Sequence, residues 1–147
     1  MDYNHFNQIV IEHRNSMMVI GIASLVFVIA ALLVVEFYVR RELDCLYFSI
    51  GKIKFSPTLL MLIPLIFVLV FFPTQIYQCN YDVAHSSYKT YTGPVEYSES
   101  SVKLTDEDIS IFVGKGHEIV PEGESYGTVV YSTKSRVVVF YESDCPK

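Results

Sequence analysis

The chain has 147 residues and a net charge of −5, and 51% of its residues are hydrophobic. This length leaves room for at most one soluble domain. The first 77 residues hold five basic and five acidic side chains, whereas residues 78–147 hold six basic and eleven acidic ones. An acidic C-terminal region repels polyanions, which argues against general binding of nucleic acid polymers.

Two long apolar runs occupy the N-terminal half. Residues 15–35 and 55–81 contain no charged side chain, and each run exceeds the roughly 20 residues that cross a hydrocarbon core. A buried helix of a soluble protein usually has a polar face, and a cleaved signal peptide has a shorter apolar part and a small-residue cleavage site. The sequence therefore predicts a tail at 1–16, a transmembrane helix at 17–39, a loop at 40–56 and a second transmembrane helix at 57–77.

The loop between the two predicted spans is rich in basic residues. Its topology signal consists of Arg40, Arg41, Lys52 and Lys54. The flanking segments offer only Arg14 and Lys89. By the positive-inside rule the loop is cytoplasmic, so we expect a two-pass protein of the cytoplasmic (inner) membrane with both termini outside. Residues 46–50 and 53–55 alternate weakly around Gly51 and Lys52, which suits either a two-residue hairpin or an interfacial stretch.

The residue pattern changes after Cys79 from continuously apolar to strand-like. The candidate strands are rich in Val, Ile, Tyr and Thr and are separated by Gly, Ser and acidic clusters. They lie at 88–97, 102–104, 109–113, 128–132 and 136–142. Residues 132–135 are predicted to be the loop of the last hairpin. The fold class is therefore α+β: two transmembrane helices followed by a small antiparallel β-barrel or sandwich of about five strands in 78–147.

Two of the three cysteines are at the ends of this β-rich region. A bridge between Cys79 and Cys145 would close a loop of nearly the whole domain, which is worth roughly 4 kcal/mol in the chain-entropy estimate. Disulfides form in oxidising compartments, so the bridge would agree with an outward-facing domain. Two unpaired thiols are the alternative. Cys45, in the predicted cytoplasmic loop, is expected to stay reduced.

The sequence contains no recognisable catalytic or metal-binding motif. The four histidines lack the spacing of a metal site, and no cofactor signature is present. We therefore predict a non-enzymatic protein without a cofactor or a metal. Tyrosine is enriched in recognition surfaces, and several tyrosines are candidates for an interface, although core positions are an alternative for them: Tyr88, Tyr91, Tyr97, Tyr126 and Tyr131.

These features favour a binding module held by two membrane helices. Its expected partners are the lipid bilayer and either another protein or further copies of the chain, as in an accessory subunit, an immunity protein or an exclusion factor. The order of parts also resembles bacterial anti-phage effectors that join two transmembrane helices to a β-barrel sensor of cyclic nucleotides and disrupt the membrane. That resemblance implies a cytoplasmic barrel, with an anion site that would require Lys115, Lys134 and Arg136 to gather.

Overall fold

The computed structural model describes residues 3–40, 48–50, 53–55, 57–98, 101–113 and 123–143. The chain divides into two compact units, which are described separately. One consists of residues 17–74, and the other combines residues 1–16 with residues 75–147. The boundary falls inside both long helices, so each helix contributes residues to both units.

Two long helices and a short hairpin make up the N-terminal half. Helix α1 spans Tyr3–Arg40 and helix α2 spans Pro57–His85. Strands β1 (Phe48–Ile50) and β2 (Ile53–Phe55) pair antiparallel between them, with Ile50 opposite Ile53. This pairing agrees with the hairpin alternative for residues 46–50 and 53–55, whereas Gly51 and Lys52 themselves lie outside the described residues. Both helices are long and apolar enough to cross a membrane, judged by length and composition.

The unit of residues 17–74 exposes most of its apolar side chains. Many Leu, Ile, Val and Phe residues of both helices are more than 40% exposed; Phe27 of α1 is 74% exposed and Ile63 of α2 is 65% exposed. The helices approach each other at Gly21, where a Cβ atom would lie 2.9 Å from the Phe72 ring. Pro64 and Pro73 lie inside α2. In a membrane helix such prolines are tolerated because neighbouring groups satisfy the freed backbone carbonyls.

The second unit contains a five-stranded sheet that closes on itself. Its strands are β3 (Tyr88–Ser98), β4 (Ser101–Leu104), β5 (Ile109–Val113), β6 (Gly123–Ser132) and β7 (Val137–Ser143). They pair in the order β3-β4-β5-β7-β6, and β6 pairs with β3 to complete the ring. The five predicted strands and the α+β class are therefore confirmed.

The expectation of an entirely antiparallel sheet is wrong, because β5 and β7 are parallel. Their register joins Phe112 to Val137 and Val113 to Val138. β5 and β7 can run in the same direction because β6 and its connections lie between them in the chain and reverse its direction. Four of the five pairings remain antiparallel. The long strand β3 pairs with β6 over most of its length and with β4 at its end.

One core fills the interior of the closed sheet. All five strands contribute buried side chains to it: Val95, Tyr97, Val102, Leu104, Ile111, Val129, Tyr131 and Val138. Successive strand residues face opposite sides of a sheet, which explains why Val129 and Tyr131 belong to this core whereas Val130 does not. The interior is therefore packed with aliphatic and tyrosine side chains.

A second core covers the outer face of β6 and β7. Val130, Val137 and Val139 pack there against Cys79 of α2 and against the first turns of α1. The α1 side chains are spaced along one helix face: Phe6, Ile9 and Val10. The expected polar tail at 1–16 is thus helical from Tyr3, because these three apolar residues bury one face of it on the sheet. Likewise α2 continues beyond the predicted end at residue 77 to His85.

Candidate functional site

The C-terminal end of α2 leads directly into the first strand of the closed sheet. The Ser87 amide donates to the Asp82 carbonyl at 3.0 Å and the Ser86 amide to the Val83 carbonyl at 3.5 Å. Ser86 has a φ of 46°. These bonds and the left-handed residue form a Schellman-type helix end. As a result β3 begins at Tyr88, three residues after the helix ends.

Asp82 is a fully buried carboxylate held by the turn between β6 and β7. The Ser135 amide and hydroxyl each donate to its Oδ2 at 2.7 Å. The Lys134 amide donates to both carboxylate oxygens at 3.1 Å, and the Thr133 hydroxyl donates to Oδ1 at 3.2 Å. Charged acceptors form hydrogen bonds roughly twice as strong as neutral ones. Asp82 therefore ties the last turns of α2 to this turn of the sheet.

A second layer of hydroxyl groups orients the donors around Asp82. The Ser132 and Ser135 hydroxyls are 2.7 Å apart, and the Val137 amide donates to Ser132 at 2.9 Å. Because the Ser135 proton is directed to Asp82, Ser132 donates to Ser135. On the other side the Ser87 hydroxyl bonds to the Thr133 hydroxyl, and the Thr133 amide donates to the Ser87 carbonyl at 3.0 Å. This layer holds the turn in one conformation.

The start of α1 is joined to the same region by two side-chain hydrogen bonds. The Tyr88 hydroxyl donates to Asn7, and Arg14 donates to Asn80 on α2 at 2.9 Å. Tyr88 also packs against Phe6, with ring centroids 5.5 Å apart. Burial, together with the nearby negative charge of Asp82, raises the pKa of Tyr88 to about 12. The neutral phenol is therefore the form that this packing favours.

A basic side chain of the β6–β7 turn lies close to aromatic side chains at the end of α2. Lys134 places its ammonium 5.9 Å from the centre of the Tyr81 ring, and Tyr81 stacks on His85 with centroids 4.1 Å apart. Arg136, two residues further along the turn, is exposed and has a φ of 53°. The structure thus brings two of the three predicted anion-site residues, Lys134 and Arg136, onto one turn, whereas Lys115 lies outside the described residues.

The predicted bridge between Cys79 and Cys145 is not formed. Cys79, a residue of α2, carries a free thiol and is fully buried against the first turns of α1 and the outer face of the sheet. Its position inside the helix packs the sulfur into the second core, where it behaves as a small apolar residue. Cys145 lies outside the described residues, and so does Cys45.

The tyrosines proposed as an interface are placed in three different environments. Tyr97 and Tyr131 are buried in the interior of the sheet, which is the core alternative considered for these residues. Tyr91 packs against that core and donates to Asp106 at 3.2 Å, and Tyr88 packs in the second core. Tyr126 alone of the five is exposed, at 55%. Inward-facing strand positions account for the difference.

The residues of the topology signal lie at or beyond the margin of the described structure. Arg40 ends α1 and Lys54 lies in β2. Arg41 and Lys52 fall outside the described residues. Within the part of the chain that is described, no group of three His, Cys, Asp or Glu side chains is arranged to hold a metal ion.

The comparisons with known proteins identify no relative. No protein-family model, no curated protein and no solved structure matches this chain. The site must therefore be interpreted from its own geometry.

The most elaborate polar site, at Asp82, is absent from the sequence-based predictions. A sequence signal for it does exist, since Asp82 is the only acidic residue between Asp44 and Glu96. It follows Cys79 by three residues and so shares a helix face with it. The donors come from a Ser-Thr-Lys-Ser turn 50 residues later in the chain, and their pairing with Asp82 depends on the tertiary fold.

Proposed function

We propose that the chain is a two-pass membrane protein that presents a small β-barrel as a non-enzymatic protein-binding module outside the cytoplasmic membrane. The membrane assignment is supported by the apolar surface of residues 17–74. Soluble monomers rarely expose contiguous apolar patches larger than a few hundred Å². Lipid chains solvate such side chains without the cost that water imposes.

The orientation rests on the charges of the short loop alone. The disulfide no longer supports it, because a buried Cys79 thiol suits either side of the membrane. Four basic residues in the loop, against one in each flanking segment, favour a cytoplasmic loop. Both termini and the barrel are then outside.

The pairing of the strands is consistent with a binding role. The strand order, in which β3 pairs with β4 and β6 and β5 runs parallel to β7, resembles that of five-stranded Greek-key barrels such as the OB-fold. Such barrels bind ligands on their outer surface and loops, while their interiors are filled by side chains. Since a fold does not identify a ligand, the partner class must be argued from the surface.

The observation that carries the protein-binding proposal is a set of exposed aromatic side chains on the strands. Phe112, Tyr126 and Phe140 are 48%, 55% and 41% exposed. Aromatic residues dominate the energetics of protein interfaces because they bury a large area with few rotatable bonds. The net negative charge of the domain favours a partner with a neutral or basic surface.

Site-specific photocrosslinking tests this proposal. A photoreactive phenylalanine analogue replaces Tyr126 or Phe112 in the full chain in cells, and Thr92, an exposed position on β3, serves as the matched control. We expect a discrete crosslinked protein from the aromatic positions and a weaker or absent one from Thr92. A second copy of the chain as the product would identify a homo-oligomer. Equal labelling of lipids alone at all three positions would contradict the proposal.

Cysteine labelling of intact cells tests the orientation. A Cys45→Ser, Cys145→Ser variant receives a new cysteine at exposed Ser110, and a membrane-impermeant maleimide is added. Labelling at position 110 without permeabilisation agrees with an outward-facing barrel. Labelling only after permeabilisation would contradict it and would favour the cytoplasmic arrangement that a nucleotide sensor requires.

A further inference from the structure

The turn between β6 and β7 has the construction of an anion receptor. Three consecutive residues, Thr133, Lys134 and Ser135, direct two backbone amides and two hydroxyls at one carboxylate, with donor–acceptor distances of 2.7–3.2 Å. Successive backbone amides that converge in this way form concave sites for oxyanions. The turn therefore binds the group on Asp82 in the way a protein binds a separate anion.

Asp82 is supplied to this receptor by another element of the fold. It lies on α2, more than 50 residues before the turn in the chain, and it is fully buried. Each of its described hydrogen-bond donors is a neutral amide or hydroxyl. Two exposed basic side chains belong to this stretch of chain, since Lys134 lies in the turn and Arg136 directly follows it.

We propose that residues 133–135 form an oxyanion-binding site whose resident ligand is Asp82, and that an external phosphate or carboxylate group in solution competes with Asp82 for it. The amides and hydroxyls that bind the aspartate would bind the incoming group, and Lys134 and Arg136 would replace the hydration that it loses. Displacement of Asp82 releases the end of α2 from the β6–β7 turn. Anion binding is thereby coupled to the attachment of the helix, a regulatory property beyond protein binding.

The overall charge of the domain makes this assignment specific. A domain with five more acidic than basic residues repels anions in general. Only a place with several directed donors and two local cations overcomes that repulsion. The β6–β7 turn combines converging amides and hydroxyls with two basic residues of the same stretch, Lys134 and Arg136.

Phosphate titration of the full chain in detergent micelles tests the proposal. The probe is inorganic phosphate, with sodium chloride of equal ionic strength as the blank, and the readout is the amide NMR signals of Lys134 and Ser135. Asp82→Ala removes the internal competitor, so we expect phosphate to bind at least about tenfold more tightly than in the unmodified chain. Formate in place of phosphate shows whether a planar carboxylate is preferred.

Two further measurements separate an anion site from a purely structural aspartate. Saturating phosphate should increase hydrogen exchange of the α2 amides at residues 79–85 in the unmodified chain. Asp82→Ala combined with Ser135→Ala should lose at least about tenfold in phosphate affinity relative to Asp82→Ala alone. Lys103→Ala, which changes a charge away from the turn, should leave the affinity unchanged.

The proposal is overturned if phosphate and formate bind with the same affinity to the unmodified chain and to the Asp82 variants. If Asp82→Ala does not fold, Asp82→Asn supplies the comparison, because its amide oxygen preserves part of the hydrogen bonding while the competing charge is removed. Tighter phosphate binding to Asp82→Asn than to the unmodified chain supports the proposal, and equal binding refutes it. Neither result depends on which protein partner the exposed aromatic residues bind.

Discussion

The two units of this protein use the same apolar residue types in opposite ways. In the closed sheet, Leu104 and Ile111 are fully buried. In the unit of residues 17–74, Ile63 and Phe27 face outward, and few of the side chains whose burial is described there are buried. Water would strongly disfavour the second arrangement, whereas a hydrocarbon solvent would not. One unit is therefore organised around an internal core, whereas the other directs its apolar side chains outward.

Truncating a side chain of the sheet core should produce the largest contrast between the units. Leu104→Ala removes a fully buried side chain and should lower the free energy of unfolding by about 3–4 kcal/mol through lost burial and a residual cavity. Ile63→Ala, at an exposed position, is the matched control and should change it by less than about 0.5 kcal/mol. Denaturation in detergent, followed by tyrosine circular dichroism, measures both. Equal losses of stability in the two variants would contradict the described difference in burial between the two units.

A charge introduced on the apolar surface of α2 should have a large effect, whereas a charge on the surface of the closed sheet should not. Ile66→Arg places a charge in the middle of the apolar part of α2 and should cost about 3 kcal/mol in membrane insertion. Ser110→Arg, at an exposed position of β5, should have little effect. The measurement is the fraction of the protein that resists carbonate extraction from membranes. If Ile66→Arg is extracted no more readily than the unmodified chain, α2 does not span the bilayer.

The same glycine substitution should be tolerated differently in the two units. At Gly127 a Cβ atom would lie 2.6 Å from the Glu142 carbonyl oxygen, which is backbone and cannot move away easily. At Gly21 it would lie 2.9 Å from the ring of Phe72, a side chain that can rotate. We expect Gly127→Ala to cost about 2 kcal/mol and Gly21→Ala less than about 1 kcal/mol. Thermal unfolding of both variants measures the difference, and the reverse order would contradict the packing described for the two units.

The smallest effect is expected where α1 meets the sheet. Tyr88→Phe deletes the hydrogen bond to Asn7 and should cost about 1 kcal/mol. The pKa of Tyr88 is raised from 10.0 to about 12, so the fold favours the neutral phenol. Its contribution is complete below pH 10 and is lost as the pH rises through about 12.

The pH dependence provides the control for this last variant. Between pH 10 and about 12 the unmodified chain should lose stability more steeply than Tyr88→Phe. Tyr131, whose pKa is raised chiefly by burial, titrates in both proteins and therefore cancels in the difference. Parallel stability curves for the two proteins would show that the packing around Tyr88 does not raise its pKa.

Local signals in the sequence predict most of the elements. Uncharged runs identify both helices because crossing a bilayer requires only length and apolarity. A period-2 pattern locates the five strands, and Ser132–Ser135 marks their last hairpin. The parallel β5–β7 pair was missed, because the direction of pairing between strands that are not neighbours in the chain depends on the whole sheet.

The candidate site shows where sequence reasoning stops. Lys134 and Arg136 could be named as anion-site residues, because their charge is a property of the residues alone. The binding of a buried Asp82 by the amides of Lys134 and Ser135 could not be foreseen, since it needs the end of α2 to meet a turn that lies about 50 residues further along. The Cys79–Cys145 bridge failed for a related reason: spacing at the ends of a domain does not show which way a cysteine faces.

By itself, therefore, the sequence determined the two apolar helices, the change to a β-rich region and the acidic charge of that region. Each of these properties depends on residues that are close together in the chain. The tertiary structure alone decided that residues 3–16 pack as a helix on the outer face of the sheet, that Tyr97 and Tyr131 point into its interior, and that Asp82 is bound by the β6–β7 turn. The physical reason is that burial and hydrogen bonding depend on which faces of distant elements meet, and strand register and helix phase set those faces only when the whole sheet has closed.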